Sequence, residues 1–396
     1  MFNKLIIVVP TRNRAEMACR SVKSIVDADQ GSAVHVIISD NSTEQCESSR
    51  IEDFVSHLAS KNVSIIRPAS PLPMTKHWQW AITAALLDGQ ASHVLLLTDR
   101  MLFKNCMLVG LLDLVRIYHS ALVSFTYDRI DDYSSPITFL PLPRSGKIYR
   151  IASKRLLQLS AEMVFFSCLP RMLNSVVPVE ILRSIDEKYG SIFSSISPDF
   201  CFCYRALSVV DSILYYDKSL LINYGMNRSN GASNSRGIPS KDSLDFARNM
   251  DSRLLNQNTP IPSIHTVGNA IIHEYRSVSL QMGFECFPEV QPQKYLNQLA
   301  NEVSGFVDAG LRARAYTTLI QSGWRSGLIF YLKRVKEKAT RFILTFRSRK
   351  FTSLERAIEY AKSTPDKDFP LVALFRRRYG DDIIPGPCET NVSQSN

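Results

Sequence analysis

Apolar residues follow two periods along this chain. Over 5–9 they are continuous, Leu5-Ile6-Ile7-Val8-Val9, and stop at Pro10. A short apolar run closed by a turn residue predicts a strand buried on both faces. Runs over 34–39, 63–66, 94–97 and 122–127 predict further strands. Between them the spacing becomes helical. Ala18, Val22, Ile25 and Val26 share one face, and Trp78, Ala81, Ile82, Ala85 and Leu86 share another that ends at Asp88-Gly89. This alternation predicts an α/β fold: a mainly parallel sheet with helices on both faces.

Beyond residue 144 the pattern is mixed, with a strand-like run over 212–216 and a loop over 227–240 rich in Ser, Asn and Gly. From about residue 260 the spacing is helical again. Val267, Ile271, Tyr275 and Val278 share a face, as do Leu328, Leu332 and Val335. The expected organisation is an α/β domain over 1–240, a mainly α-helical basic region over 260–384 and a disordered tail over 385–396.

Charge sharpens this division. Residues 312–350 hold eleven Lys and Arg against one acidic residue, Glu337, a net of +10 that equals the formal charge of the whole chain. The remainder is close to neutral, so a general affinity for polyanions is not implied. The segment's aromatic residues recur at helical spacing, which favours a packed face and a solvated basic face over nucleic-acid binding. The same amphipathic pattern is compatible with an anionic membrane surface. The apolar run after the N-terminus is too short for a signal-peptide core or a membrane span, and the eight cysteines form no CxxC pair. The expected location is the cytoplasm, peripheral to the inner face of the plasma membrane if the basic segment binds lipid.

In open α/β sheets ligands bind at the carboxyl ends of the strands. After the first strand comes Pro10-Thr11-Arg12-Asn13-Arg14, which suits a phosphate at a helix N-terminus or, equally, a capped helix with solvated arginines. After the second comes Asp40, placed to meet a base or ribose hydroxyl; in isolation an Asx-turn is the plainer reading. After the fourth comes Thr98-Asp99-Arg100-Met101, whose one carboxylate makes a poor cation site.

Taken in order, "VVPTRNR", "IISDNS" and "LLLTDRM" resemble the family-two glycosyltransferases, which have the GT-A fold. Leu72-Pro73-Met74-Thr75-Lys76-His77-Trp78-Gln79-Trp80 resembles a segment of a bacterial surface-polysaccharide branch, with His77 and Gln79 where that branch has Asn and Glu. Ser197-Pro198-Asp199-Phe200 resembles its Pro-Asp motif, and 227–231 the Ser-x-Gly loop that follows. The resemblance spans about 5–231 and does not extend to the C-terminal part. It implies a nucleotide-sugar donor bound by Pro10, Thr11, Arg12, Asp40, Asp99, Arg100 and Arg228. It implies Asp199 as the general base for a glycan or lipid-linked acceptor, and inversion at the anomeric carbon. Read without the family, Asp199 is a helix cap.

The family's aspartate motif implies a divalent cation, Mg²⁺ or Mn²⁺, at Asp99. Here its second carboxylate is missing, since Arg100 and Met101 stand in its place. Three readings follow: a cation held by Asp99 with water and phosphate, arginines Arg100 or Arg228 in place of a cation, or a non-catalytic nucleotide-sugar-binding module. A sugar-phosphate nucleotidyltransferase shares the architecture but needs a Gly-rich first loop, and 10–14 contains no Gly.

Overall fold

The computed structural model describes residues 4–28, 33–58, 60–133, 135–142, 144–194, 196–229, 231, 233, 241–249, 256–282, 286–325, 327, 331, 335, 348–365 and 382–384. The first apolar run forms β1 (Leu5–Thr11), buried along its whole length. It lies between β2 (Val34–Asp40) and β4 (His93–Leu96), parallel to both, and β3 (Val63–Ile66) lies parallel beyond β2. The two faces of β1 enter different cores. Ile6 and Val8 pack with Trp78, Ala81 and Ile82 of α3 (Met74–Leu86). Leu5, Ile7 and Val9 pack with Ala15, Val22 and Ile25 of α1 (Ala15–Val26). Burial on both faces is why the run reads as continuous rather than alternating.

The sheet runs β3-β2-β1-β4-β9-β6-β10-β8-β12. Strand β9 (Ser175–Pro178) is antiparallel to both β4 and β6 (Val123–Asp131), so β6 points the same way as the β1 block. Strand β10 (Ser212–Asn223) is parallel to β6, while β8 (Ile148–Ala152) and β12 (Asp382–Ile384) finish that edge antiparallel. The central sheet is therefore mainly parallel, and the carboxyl ends of β1, β2, β4 and β6 share one edge. Near that edge β5 (Met101–Phe103) pairs antiparallel with the end of β10.

Several elements lack a clear sequence signature. Helix α2 (Gln45–Leu58) buries only Ser48 and Ile51, too little for a stripe. Helices α4 (Met107–Ile117), α5 (Ser153–Ala161), α6 (Val179–Tyr189) and α7 (Pro198–Leu207) fill the mixed region. After a short α8 (Lys241–Arg248), α9 (Val267–Met282) buries Ile271, Tyr275 and Val278 in the core that contains α7. The Tyr204 and Tyr275 rings meet edge-on at 5.1 Å. Helices α10 (Pro292–Val303) and α11 (Ala309–Gln321) close a smaller core around Tyr295, Leu299 and Leu319.

The C-terminal region is mainly helical, but the basic segment ends in a strand. Strand β11 (Arg349–Phe351) pairs with β7 (Ile137–Phe139), and α12 (Leu354–Ser363) buries Ala357, Ile358 and Ala361 against Ile130 and Tyr224. Of the expected basic amphipathic helix, Leu328, Leu332, Lys333, Arg334, Lys336, Lys338, Ala339, Phe342 and Phe346 lie outside the described residues, as does the tail over 385–396. In the expected loop, Asn227 and Arg228 belong to a 3-10 turn (Met226–Arg228), and 230, 232 and 234–240 lie outside the described residues. Among the described residues no helix is long and apolar enough to cross a membrane.

Candidate active site

At the end of β1 the backbone turns through Asn13, which has a left-handed φ of 53°. Thr11 Oγ1 donates to Asp99 Oδ2 at 3.0 Å, and Arg14 Nη1 donates to Asp99 Oδ1 at 3.2 Å. The loops after β1 and β4 are thus joined through one buried carboxylate. Arg12 donates to the Leu72 carbonyl at 3.2 Å and lies 3.5 Å from Asp245 of α8. Arg228 Nη2 approaches the Asn13 carbonyl at 3.5 Å. A cluster of guanidinium groups therefore surrounds the turn between β1 and α1.

Asp40 lies behind the cavity wall. Its carboxylate accepts from the Ser42 N–H at 3.0 Å, the Ser48 hydroxyl at 2.7 Å and Arg67 Nε at 2.7 Å. Burial would raise its pKa, but these hydrogen bonds outweigh that and hold it below the ordinary carboxylate value. The Ser42 contact is the Asx-turn. The expected contact with a base or ribose would have to share these oxygens, and Asp40 is 1% exposed and does not line the cavity. Its neighbour Asn41 reaches the wall and clamps Leu72 through both ends of its amide, at 2.8 Å each. His77 also lines the cavity and shares a 2.7 Å hydrogen bond with Ser39 Oγ; burial lowers its pKa to about 4, so the ring is neutral at pH 7.

Arg100 points away from the turn cluster. Its Nη1 donates to the carbonyls of Tyr224 and Gly225 at 3.2 and 3.3 Å, holding the chain where it leaves β10. Met101, where the family motif carries a second carboxylate, is 1% exposed in the core. Mg²⁺ or Mn²⁺ needs several oxygen ligands in a near-regular shell. Both oxygens of Asp99 are engaged by Thr11 and Arg14, and among the described residues no three His, Cys, Asp or Glu side chains gather into a metal-ligating group. The residues present do not fit a resident divalent cation at Asp99.

The opposite wall is built around Asp199. Pro198 occupies the first position of α7, where its missing N–H costs nothing, and Asp199 follows in the first turn. Ser197, not Asp199, is the cap residue, and its side chain makes no capping hydrogen bond. The chain leading to this turn is fixed from three sides. Gln79 Oε1 accepts from the N–H groups of Ile192 and Phe193 at 2.8 and 3.0 Å. Buried Arg205 donates to the Ser191 carbonyl and to Ser194 Oγ at 2.7 and 2.8 Å. Glu274 Oε1 accepts from the N–H groups of Ile196 and Ser197 at 3.1 and 2.7 Å. Burial pushes the Asp199 carboxyl above the ordinary carboxylate value, against the pull of the Arg171 charge and of nearby backbone N–H groups. A raised pKa at a cavity wall is a property of acid–base residues.

One cavity of about 890 Å³ joins the two walls. It brings together Pro10, Thr11, Arg12, Asp99, Arg100, Asp199 and Arg228, and leaves out Asp40. It also brings in residues that the sequence reading did not single out: Tyr127 and Arg129 on β6, Arg171 before β9, and Asp245 and Arg248 on α8. Tyr127 ends the predicted strand over 122–127 and Arg129 lies just beyond it, a strand-end signal; Arg171, Asp245 and Arg248 sit in no spaced motif. Trp78 packs edge-on to Phe193 at 5.9 Å, and Trp80 stacks on His77 at 6.3 Å. Cys201 and Cys203 are buried, unbridged thiols.

No protein-family model matches the chain, and no curated protein matches it. Among solved structures it is similar to S. aureus TarS. Against TarS 1-349 in complex with UDP-GlcNAc the identity is 13% and the TM-score 0.43, covering 80% of this chain and 88% of that one. Against the same fragment in complex with UDP the values are 13% and 0.42, with the same coverage. A longer TarS structure gives 13% and 0.43, covering 80% of this chain and 53% of that one. This is a distant likeness, and the functional reading rests on the site itself.

Proposed function

We propose that this chain is a glycosyltransferase that moves a sugar from a nucleotide-linked donor to an acceptor hydroxyl with inversion. The observation that carries the reading is the position of Asp199: a carboxyl of raised pKa facing, across one cavity, the arginine-rich turn after β1. The volume of about 890 Å³ suits a nucleotide sugar with part of an acceptor. In this reading Asp199 takes the proton of the acceptor hydroxyl as its oxygen bonds to the anomeric carbon. The bond from that carbon to the diphosphate oxygen breaks from the opposite side. The negative charge that grows on the leaving diphosphate is offset by Arg12, Arg14 and Arg228. Arg100 shapes the same region by holding the end of β10, and Asp40 by holding the turn that presents Asn41.

Closure of Asp99 by Thr11 and Arg14 favours a second reading, a non-catalytic nucleotide-sugar-binding module. The three-sided support of the Asp199 turn favours turnover, since binding a donor needs no such base. We also propose that the acceptor is a surface glycan or its lipid-linked precursor, handled at the inner face of the membrane. The concentration of the formal charge in 312–350 supports that location. The test is a thermal-shift screen with UDP-, GDP-, dTDP- and CMP-linked sugars, followed by nucleotide release with each binder. One nucleotide class should raise the melting temperature and be turned over. Binding without turnover against any glycan acceptor selects the module, and no binding at all removes both readings.

A further inference from the structure

Among the described residues seven arginines line the cavity, and they divide by what already satisfies them. On the strand-end side Arg14 pairs with Asp99, Arg12 lies against Asp245, and Arg100 and Arg228 meet backbone carbonyls. Arg248 is exposed on α8. On the base side, Arg171 and Arg129 make no ion pair among the described residues. The cavity's uncompensated positive charge therefore includes two cations on the wall that carries Asp199.

Arg171 is held as a fixed cation. Its guanidinium lies 5.6 Å from the Tyr127 ring centre and 5.5 Å from that of Phe200, the residue after Asp199. Nη2 donates to the Tyr127 hydroxyl at 3.2 Å. Its backbone N–H donates to Asn174 Oδ1 at 3.2 Å, and Asn174 is itself anchored to the Phe125 carbonyl at 2.9 Å. A guanidinium has five N–H donors, and the Tyr127 contact uses one. Burial alone would lower its pKa, but Tyr127, whose hydroxyl accepts its hydrogen bond, and the nearby Asp199 carboxylate outweigh that and raise it, so it stays charged. Asp199 influences Arg171 without pairing with it. A half-buried cation with spare donors is costly to keep unless a counter-charge arrives. Arg129 follows Tyr127 by two on β6, so both project from the same face of the strand into the cavity. The two cations flank one aromatic side chain, beside the group assigned as base.

We propose that the acceptor is anionic, and that Arg171, with Arg129, binds a carboxylate or phosphate of the acceptor next to the hydroxyl that Asp199 deprotonates. This rests on the glycosyltransferase reading, because only that reading makes the Asp199 wall the acceptor side. The charged group fixes the acceptor in register, so that the hydroxyl and not another oxygen meets Asp199. Neutral acceptors would leave the spare donors of Arg171 without an anionic partner.

The test uses the full chain saturated with UDP, GDP or dTDP, whichever the donor screen selects, so that the diphosphate site is filled. Glucose, glucuronate, glucose 6-phosphate and inorganic phosphate are then titrated by calorimetry. At least one anionic sugar is expected to bind tenfold or more tightly than glucose; glucuronate against glucose 6-phosphate tells carboxylate from phosphate. Arg171→Gln should abolish the preference, and Arg171→Lys should keep part of it. If Arg171→Gln does not fold, Arg129→Gln, a change on an exposed strand position, should reduce the preference at least threefold. Equal binding of glucose and the anionic sugars overturns the proposal. So does inorganic phosphate binding as tightly as glucose 6-phosphate, which marks a free-anion site. An Arg171-dependent preference for a glucuronate-bearing over a glucose-bearing donor also overturns it, since the charge would then belong to the donor. Failure of any nucleotide to bind the wild-type chain sinks the glycosyltransferase reading first, so the two failures are distinguishable.

Discussion

Glu274, on helix α9, accepts a 2.7 Å hydrogen bond from the backbone N–H of Ser197, two residues before Asp199. The turn that carries the proposed base is thus fixed by the C-terminal helical region, and the two parts of the chain form one site. Glu274→Ala strands the N–H groups of Ile196 and Ser197 in a buried place. Each buried unsatisfied donor costs about 1–3 kcal/mol. The expected outcome is a loss of roughly 2–4 kcal/mol in chemical denaturation, with kcat falling more than the affinity for nucleotide. Glu274→Gln keeps an acceptor and should cost less in both. An Ala variant with wild-type stability and kcat would show that the turn is held by other means.

Asp40 has a different prediction from a group that touches the donor. Asp40→Ala leaves Arg67, Ser48 and the Ser42 N–H without their shared acceptor, so it should lower stability by about 2–4 kcal/mol. Its effect on nucleotide affinity should be secondary, through Asn41. The sign with pH follows from the lowered pKa. The stabilisation is fully present above the unfolded-state value of about 4 and is lost as pH falls through the lower folded-state value. The wild type should therefore lose stability relative to Asp40→Ala below about pH 4. Calorimetry of both proteins across that range, with nucleotide titrations at pH 7, checks the two parts. A large drop in affinity at unchanged stability would return Asp40 to the donor contacts.

Arginine compensation at the diphosphate predicts weak metal dependence. Donor affinity and the rate of nucleotide release should change by less than about threefold between EDTA and added Mn²⁺. Arg14→Gln should reduce both by roughly tenfold or more, about 1.4 kcal/mol. Complete loss in EDTA with full recovery in Mn²⁺ would show that Asp99 opens from Thr11 and Arg14 to take a cation.

How much of this was legible before the fold was known depended on whether a residue's neighbours lie near it in sequence. The strands β1 and β2, and the helices α1 and α3, announce themselves because each buries a nearly continuous run or a full stripe. Thr11, Arg12 and Asp99 could be singled out because strand ends are predictable places. Arg171 could not, since its surroundings come from β6 and α7, and Leu169-Pro170-Arg171 has no period of its own. Gln79 stood out only as a substitution in a motif; its work for Ile192 and Phe193, more than 110 residues away, needs the fold. Asp40 shows the converse: its position at a strand end is visible in the sequence, but its hydrogen bonds to Ser48 and Arg67 need the fold.

The central claim is that Asp199 removes the acceptor proton. A group acting only in the transition state changes kcat and leaves donor binding alone. Its pKa is raised by burial, so the rate should fall as pH drops through a value above the ordinary carboxylate's, where the base becomes protonated. The most direct measurement is transfer by Asp199→Asn beside its donor affinity by calorimetry. The account predicts a loss of about 10²–10⁴-fold in kcat, unchanged donor Kd, and disappearance of the acid limb of the pH–rate profile. Transfer within a few-fold of the wild type, with the acid limb intact, would contradict it.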